Sequence, residues 1–190
     1  MVSLDALYKV CYDKSTHYLY NLFTESKVIR NKTDVGILSK ISNFTNEPSH
    51  IIDNIYIGNG YNAANFDLLK TLNIKLIVNI TEELSNYFEN DFNYFQIKIL
   101  DNDESFISNY IDLFFNEINK FNQNNINGNI LIHCYMGSSR SASFVIAYLM
   151  KYHQKKYPEA LLYLENKREN ININIKFENE LIHYFDCLEI

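Results

Sequence analysis

Hydrophobic and polar positions follow two periods along the chain, and together these periods predict an α/β fold. Apolar runs at 55–57, 75–80 and 130–132 predict buried strands, and the alternation over 94–100 predicts a strand with one less buried face. Apolar residues at helical spacing predict helices over 63–72, 82–90, 107–121, 143–152, 157–169 and 176–188. Strands that alternate with helices indicate a central, mostly parallel sheet flanked by helices.

The first 49 residues carry a weaker pattern than the rest of the chain. Ser3 can cap a helix with Leu4 and Leu7 on one face, and residues 31–49 are polar and irregular. We therefore expect an N-terminal helical or irregular segment over 1–49 and one domain over 50–190. The segment is interpreted as helices packed on the outside of the domain, and a role in homodimerisation or partner docking stays an alternative.

Composition narrows the class of protein. With 190 residues, of which 47% are hydrophobic, the chain is long enough for one well-buried domain. The net charge of -6 disfavours binding to nucleic acid or to an anionic membrane, and no stretch approaches the ~20 apolar residues of a membrane helix. The chain has no signal-peptide pattern and its three cysteines have no paired spacing, which predicts a cytoplasmic protein, with the nucleus as an alternative.

The candidate chemistry lies in 129–142, where a buried strand leads through a short polar turn into a helix. Such a turn directs backbone N–H groups and the positive end of the helix dipole into the loop, which forms a phosphate cradle. In this field the pKa of Cys134 would fall below the ordinary thiol value of about 8.5. Arg140 offers a planar fork for two phosphoryl oxygens, and Gly137 lets the backbone approach the anion.

Residues 133–141, His-Cys-Tyr-Met-Gly-Ser-Ser-Arg-Ser, resemble the signature of the cysteine-dependent protein phosphatases, in their dual-specificity branch. The resemblance extends over roughly 51–188, including the stretches Asn-Ile-Tyr-Ile-Gly (54–58), Ile-Leu-Asp-Asn (99–102) and Ile-Ala-Tyr-Leu-Met (146–150). It implies a protein tyrosine phosphatase-like fold and makes 50–190 a catalytic domain.

The resemblance also implies roles for particular residues. Cys134 would be the nucleophile, Ser141 would hydrogen-bond the sulfur, and His133 would support the Cys134 backbone. A helix-start hydroxyl and a buried structural histidine are the alternatives for Ser141 and His133. The phosphate-binding residues would be Tyr135, Met136, Gly137, Ser138, Ser139, Arg140 and Arg168.

Three further positions complete the predicted site. Asp101, Asp103 and Glu104 all follow the predicted strand 94–100, and the resemblance selects Asp101 as the general acid over Asp103. Arg168 matches a position that contacts a second substrate phosphate in some relatives, or it is an exposed helix arginine. Asn174 matches a loop-ordering asparagine, although Ile173 stands where the family has proline.

The resemblance implies a metal-independent phosphatase without a cofactor, acting on phosphorylated protein at Tyr and Ser/Thr. The loop side chains of Tyr135, Met136, Ser138 and Ser139 carry no charge, which disfavours a phosphoinositide phosphatase, and the acidic composition disfavours an RNA 5′-phosphatase. A phosphoprotein-binding module with weak or no turnover is the remaining alternative.

Overall fold

The computed structural model describes residues 47–124 and 127–187. The predicted N-terminal helix, the dimerisation alternative and Cys11 lie outside these residues. Within the described part, five strands form a sheet in the order β1-β2-β5-β3-β4, in which β1 is antiparallel to β2 and the other neighbours are parallel. The strands are β1 (Ser49–Ile52), β2 (Ile55–Gly58), β3 (Ile74–Asn79), β4 (Asn93–Gln96) and β5 (Asn129–His133). The predicted central, mostly parallel sheet is confirmed.

Helices cover both faces of this sheet. In chain order they are α1 (Gly60–Ala63), α2 (Phe66–Thr71), α3 (Ser108–Asn124), α4 (Arg140–His153), α5 (Tyr157–Glu165) and α6 (Ile175–Asp186). The larger core packs α3 to α6 against one face, and a smaller core packs Ala63 and Leu69 of the first two helices against the other. Side chains in a strand point alternately to the two faces. In β5, Ile130 and Ile132 accordingly enter the larger core while Leu131 enters the smaller one.

The ends of three parallel strands converge at one residue of β5. His133, the last residue of β5, pairs with Gly58 at the end of β2 and with Asn79 at the end of β3. The segments that leave β2, β3 and β5 therefore emerge at the same edge of the sheet. In open α/β sheets this carboxyl edge is where ligands bind.

The predicted helix over 82–90 is wrong, because no helix forms between β3 and β4. Side-chain hydrogen bonds hold this segment in another conformation. The Asn79 side-chain amide donates to the Leu84 carbonyl (2.9 Å), and the Leu84 N–H donates to the Thr81 hydroxyl (3.2 Å). Side-chain bonds of this kind offer the backbone an alternative to helical bonds.

Other parts of the prediction also differ from the structure. The predicted helix over 63–72 is two helices, because Asn65 caps a new start by accepting from the Leu68 N–H (3.1 Å). The predicted helix over 157–169 ends at Glu165, and the strand predicted over 94–100 ends at Gln96. The short β1, which pairs with β2 in an antiparallel hairpin, was not predicted.

Candidate active site

The loop 134–139 joins β5 to α4 at the carboxyl edge of the sheet, and it wraps around the sulfur of Cys134. The Gly137 N–H and the Ser141 hydroxyl each donate to Sγ at 3.2 Å, and Cys134 is 2% exposed. Gly137 adopts φ +74°, and a Cβ at this position would lie 2.5 Å from the Gly58 carbonyl oxygen. Both constraints require glycine, so the tight turn that aims the Gly137 amide at the sulfur depends on this residue.

Arg140 is fixed by a carboxylate from a different segment, Glu83, which follows β3. Nη1 donates to Oε2 of Glu83 (2.8 Å) and to the Ile99 carbonyl (3.1 Å), while Nη2 donates to Oε1 of Glu83 (2.5 Å). Burial alone would lower the pKa of Arg140, but the hydrogen bonds of Glu83 and the charges of Cys134, Glu83 and Asp101 together outweigh burial and raise it. Burial would likewise raise the pKa of Glu83, and Arg140 instead holds it below the ordinary value.

The Nε atom of Arg140 is a buried donor without a hydrogen-bond partner among the described residues. An unpaired buried donor costs about 1–3 kcal/mol. A phosphoryl oxygen held by the loop would satisfy it, since a guanidinium can bind an anion through several of its N–H groups. The Glu83 contact therefore orients the guanidinium and leaves one donor for substrate.

Arg168 is buried on the opposite side of the loop, and the alternative of an exposed helix arginine is wrong. It follows the end of α5, is 8% exposed, and its Nε donates to the Gly137 carbonyl (2.9 Å). Its Nη1 reaches the Ser49 hydroxyl (3.4 Å). Burial lowers the pKa of Arg168, and the Coulombic attraction of Cys134 only partly opposes it. No carboxylate pairs with this guanidinium among the described residues.

Asp101 reaches the loop through Ser139. The Ser139 hydroxyl donates to Oδ1 of Asp101 (2.9 Å) and accepts from the Asn174 N–H (3.2 Å). Asp101 is otherwise exposed, as a proton donor to a solvent-facing leaving group has to be. Asp103 is also exposed, and within the described residues no hydrogen bond joins its carboxylate to the loop. The geometry therefore favours Asp101 as the general acid.

The segment before α6 supports the loop through its backbone. The Asn172 N–H donates to the Ser138 carbonyl (3.0 Å), and the Asn174 N–H binds Ser139 as described above. The Asn174 side chain instead caps α6, because its Oδ1 accepts from the Lys176 N–H (2.9 Å). Ile173 in place of proline does not prevent these contacts.

His133 lies directly before Cys134 and is buried. Its Nδ1 is 3.4 Å from the Cys134 carbonyl oxygen, so the tautomer that carries the proton on Nδ1 makes this bond. Burial is the main reason that the pKa of His133 falls to about 4. The imidazole is therefore neutral at physiological pH and supports the Cys134 backbone through a hydrogen bond, without adding positive charge.

The remaining predicted phosphate-binding residues border a cavity beside the loop. Met136, Gly137 and Ser138 line it together with Ser49, Lys167 and Arg168, and its volume is about 310 Å³. Tyr135 is half-buried, and its carbonyl accepts from the Gly60 N–H (3.1 Å), which ties the loop to the start of α1. The structure thus brings every predicted site residue to one edge of the sheet.

Glu83 is the functional residue that the sequence analysis missed. Because a helix was predicted over 82–90, the prediction gave no reason to place the Glu83 carboxylate at the loop. A usable signal was present: Glu83 follows a buried parallel strand, and such positions share an edge with the loop after β5. No group of three or more His, Cys, Asp or Glu residues in 47–124 and 127–187 is arranged to hold a metal ion. The helices of this part also include none with the length and hydrophobicity to cross a bilayer.

Comparison with known proteins identifies the family of this chain. Residues 55–187 match the family model for the dual specificity phosphatase catalytic domain. Protein phosphatase Slingshot of Drosophila melanogaster is 34% identical over 142 residues, which is 75% of this chain and 13% of that protein. Human dual specificity protein phosphatase 1 is 32% identical over 139 residues, 72% of this chain and 37% of that protein.

A solved structure agrees with these relatives. The crystal structure of human tyrosine phosphatase-like serine/threonine/tyrosine-interacting protein superposes with a TM-score of 0.70 at 27% identity, covering 76% of this chain and 99% of that one. This chain spans at most 37% of the length of the two relatives named above. The residues that match the family model, 55–187, include the loop 134–139. The chain belongs to the dual-specificity phosphatase family.

Proposed function

We propose that the chain is a protein phosphatase that hydrolyses phosphotyrosine and phosphoserine/threonine through a cysteinyl-phosphate intermediate. The observation that carries this proposal is the Cys134 sulfur, which accepts hydrogen bonds from the Gly137 amide and the Ser141 hydroxyl at 3.2 Å. Two donors on one sulfur stabilise its thiolate form, which is the nucleophilic form of cysteine. Names such as protein phosphatase Slingshot among the relatives support a phosphoprotein substrate.

In the first half-reaction the Cys134 thiolate attacks phosphorus, and the bond between phosphorus and the ester oxygen breaks. The loop amides and Arg140 stabilise the charge that spreads over the equatorial oxygens. Asp101, which Ser139 holds at 2.9 Å, gives its proton to the departing serine, threonine or tyrosine oxygen. The products are the free hydroxyl and a phosphoryl group bound to Cys134.

In the second half-reaction water attacks the phosphoryl group, and the bond between sulfur and phosphorus breaks. Asp101, now a carboxylate, takes the proton from this water, so the acid of the first step is the base of the second. The Ser141 hydroxyl donates to the sulfur at 3.2 Å and stabilises the thiolate as it leaves. Phosphate departs and Cys134 is restored.

A phosphoinositide substrate is the second candidate, and one observation favours it. The cavity beside the loop is lined by the basic residues Lys167 and Arg168 together with the acid Glu169, and the two basic side chains suit a second phosphate on either a peptide or an inositol ring. The three exposed acids of the general-acid loop, Asp101, Asp103 and Glu104, act against an anionic membrane surface and favour the peptide.

Phosphate release tests both candidates. Wild type and Cys134→Ser are compared on a doubly phosphorylated Thr/Tyr peptide, a phosphotyrosine peptide and a soluble phosphoinositide, all in the presence of a chelator. We expect release from both peptide residues by wild type and none by Cys134→Ser, which should still bind the peptides. Cys187, the exposed cysteine, provides the control variant Cys187→Ser, which should keep full activity.

Other outcomes have definite meanings. Release from the phosphoinositide alone would replace the protein substrate by the lipid headgroup. Full activity of Cys134→Ser would remove the nucleophile from the mechanism. Peptide binding with no release by wild type would favour a phosphoprotein-binding module over an enzyme.

A further inference from the structure

Large apolar side chains are concentrated beside the general acid. Among the described residues six large apolar side chains are exposed: Leu100, Phe106, Leu113, Tyr152, Leu162 and Ile175. Leu100, Phe106 and Ile175 are 41%, 52% and 65% exposed and come from two segments far apart in sequence. We refer to these three residues as the apolar rim.

Hydrogen bonds and ring contacts bring the segments of the apolar rim to the catalytic loop. Leu100 directly precedes Asp101, and its N–H donates to the Ser105 hydroxyl (3.2 Å), which draws the neighbouring Phe106 toward it. Lys176 places Nζ 3.3 Å from the centre of the Phe106 ring and donates to the Asp103 carbonyl (2.6 Å). Ile175 lies between this lysine and Asn174.

The same segments are joined to each other through Ser139. Its hydroxyl binds the Asp101 carboxylate (2.9 Å) on one side of the rim and the Asn174 N–H (3.2 Å) on the other. The apolar rim is therefore continuous with the catalytic loop, on the side where the leaving group has to be protonated. The cavity lined by Lys167 and Arg168 borders the Met136–Ser138 stretch of the loop.

We propose that the apolar rim is a specificity surface, and that it binds a large apolar side chain flanking the phosphorylated residue of a protein substrate. This proposal rests on the proposed protein phosphatase function and extends it to the substrate sequence. Removing apolar surface from water is favourable, and solvent-exposed apolar side chains gathered at a catalytic cleft gain this free energy when a substrate covers them.

The charges around the apolar rim disfavour an acidic partner. Asp103 and Glu104 are exposed in the same loop, whereas the ammonium group of Lys176 is occupied by the Phe106 ring and the Asp103 carbonyl. An acidic residue at the flanking position of the substrate would be repelled. The same acids disfavour an anionic membrane surface as the occupant of the rim.

The test uses pairs of phosphotyrosine peptides that differ only in having Leu, Ser or Asp at one flanking position, scanned on both sides of the phosphotyrosine. For wild type we expect kcat/KM to be about tenfold higher with Leu than with Ser at one of these positions, since a Leu side chain is then partly buried. Asp should be the poorest substrate of the three. Phe106→Ser and Ile175→Ser should each remove most of the Leu preference.

The controls separate loss of specificity from loss of catalysis. A small aryl phosphate, which is too short to reach the rim, should be hydrolysed by both variants at the wild-type rate. Leu162→Ser changes a side chain that is 59% exposed on α5, outside the rim, and should keep the Leu preference.

Three results would overturn the proposal. They are a wild-type enzyme that shows no preference for Leu, a preference that survives both rim variants, and binding of anionic phospholipid vesicles that the rim variants abolish. If wild type hydrolyses neither the peptides nor the aryl phosphate, the proposed function fails. The affinities of the same peptides for wild type and the rim variants then decide whether the rim binds apolar residues.

Discussion

Two buried arginines flank the Cys134 loop, and the protein compensates their charges in different ways. Arg140 pairs with the carboxylate of Glu83, whereas Arg168 donates to the Gly137 carbonyl and to the Ser49 hydroxyl. The pKa of Arg140 is raised, since Glu83 together with the charges of Cys134 and Asp101 outweighs the effect of burial, and that of Arg168 is lowered by burial.

This difference indicates that Arg140 contributes an oriented guanidinium, whereas Arg168 contributes positive charge. The Arg140–Glu83 pair is neutral overall, so its contribution is an oriented guanidinium whose Nε is left for substrate. Arg168 keeps its positive charge uncompensated by an acid in the described part of the chain, and it adds that charge to the field at the loop. Its hydrogen bond to the Gly137 carbonyl also fixes the peptide bond that follows Gly137 in the turn. We therefore propose that Arg140 is positioned for the phosphoryl group and that Arg168 holds the loop.

The largest effect should come from Arg140→Lys. A lysine ammonium cannot reproduce the planar fork that pairs with Glu83 and still offers a donor to phosphate. We expect kcat to fall by about 10³-fold, since loss of one preorganised donor to transition-state charge has this cost. Steady-state kinetics on a phosphotyrosine peptide measure it. A loss smaller than that of Arg168→Lys would reverse the assignment of the two arginines.

Glu83→Gln should have the next largest effect. The amide keeps the size of the side chain but loses the charge that fixes the guanidinium, and a displaced catalytic group costs up to about a hundredfold. We expect kcat to fall by roughly tenfold to a hundredfold. Glu82→Gln is the matched control, because Glu82 is exposed and its neighbour Glu83 makes the contact. Equal rates for the two variants would contradict the role of Glu83.

Arg168→Lys should have the smallest effect of the three. Lysine keeps the positive charge but cannot bridge the Gly137 carbonyl and the Ser49 hydroxyl as the guanidinium does. We expect a loss of about threefold to tenfold in kcat, the cost of roughly one hydrogen bond. Lys167→Gln, which removes a neighbouring exposed charge without touching Gly137, should raise KM and leave kcat unchanged. If Arg168→Lys keeps the wild-type kcat and KM, Arg168 acts through its charge alone and its bond to Gly137 does not hold the loop.

The sequence predicted the parts of the molecule that depend on local pattern. The apolar runs that became β2, β3 and β5 and the period of α3 and α4 identified the fold, because burial of one helical face or of a whole strand leaves a repeating signal. The loop 134–139 and Asp101 followed from a dense motif and its resemblance to a family.

The features that the sequence did not predict depend on contacts between segments that are distant in the sequence. The 82–90 segment has a helical pattern, but the Gln96 side chain at the end of β4 donates to the Thr81 and Leu84 carbonyls and, together with Asn79, holds the segment in a different conformation. The position of Glu83 follows from that. The period over 157–169 places Arg168 on a helix, whereas α5 ends at Glu165 and the buried Arg168 side chain donates to the Gly137 carbonyl. A periodic pattern contains no information on such tertiary hydrogen bonds.

The central claim is that Cys134 carries the phosphoryl group, and the most direct measurement is mass spectrometry of the acid-quenched enzyme during turnover. Asp101→Asn, which lacks the base for the second half-reaction, is mixed with a small aryl phosphate whose leaving group needs no proton. We predict the mass of one phosphoryl group on the peptide that contains Cys134, and none on the same peptide from Cys134→Ser. A phosphoryl group on a different residue, or hydrolysis with no covalent species on the enzyme, would contradict the account.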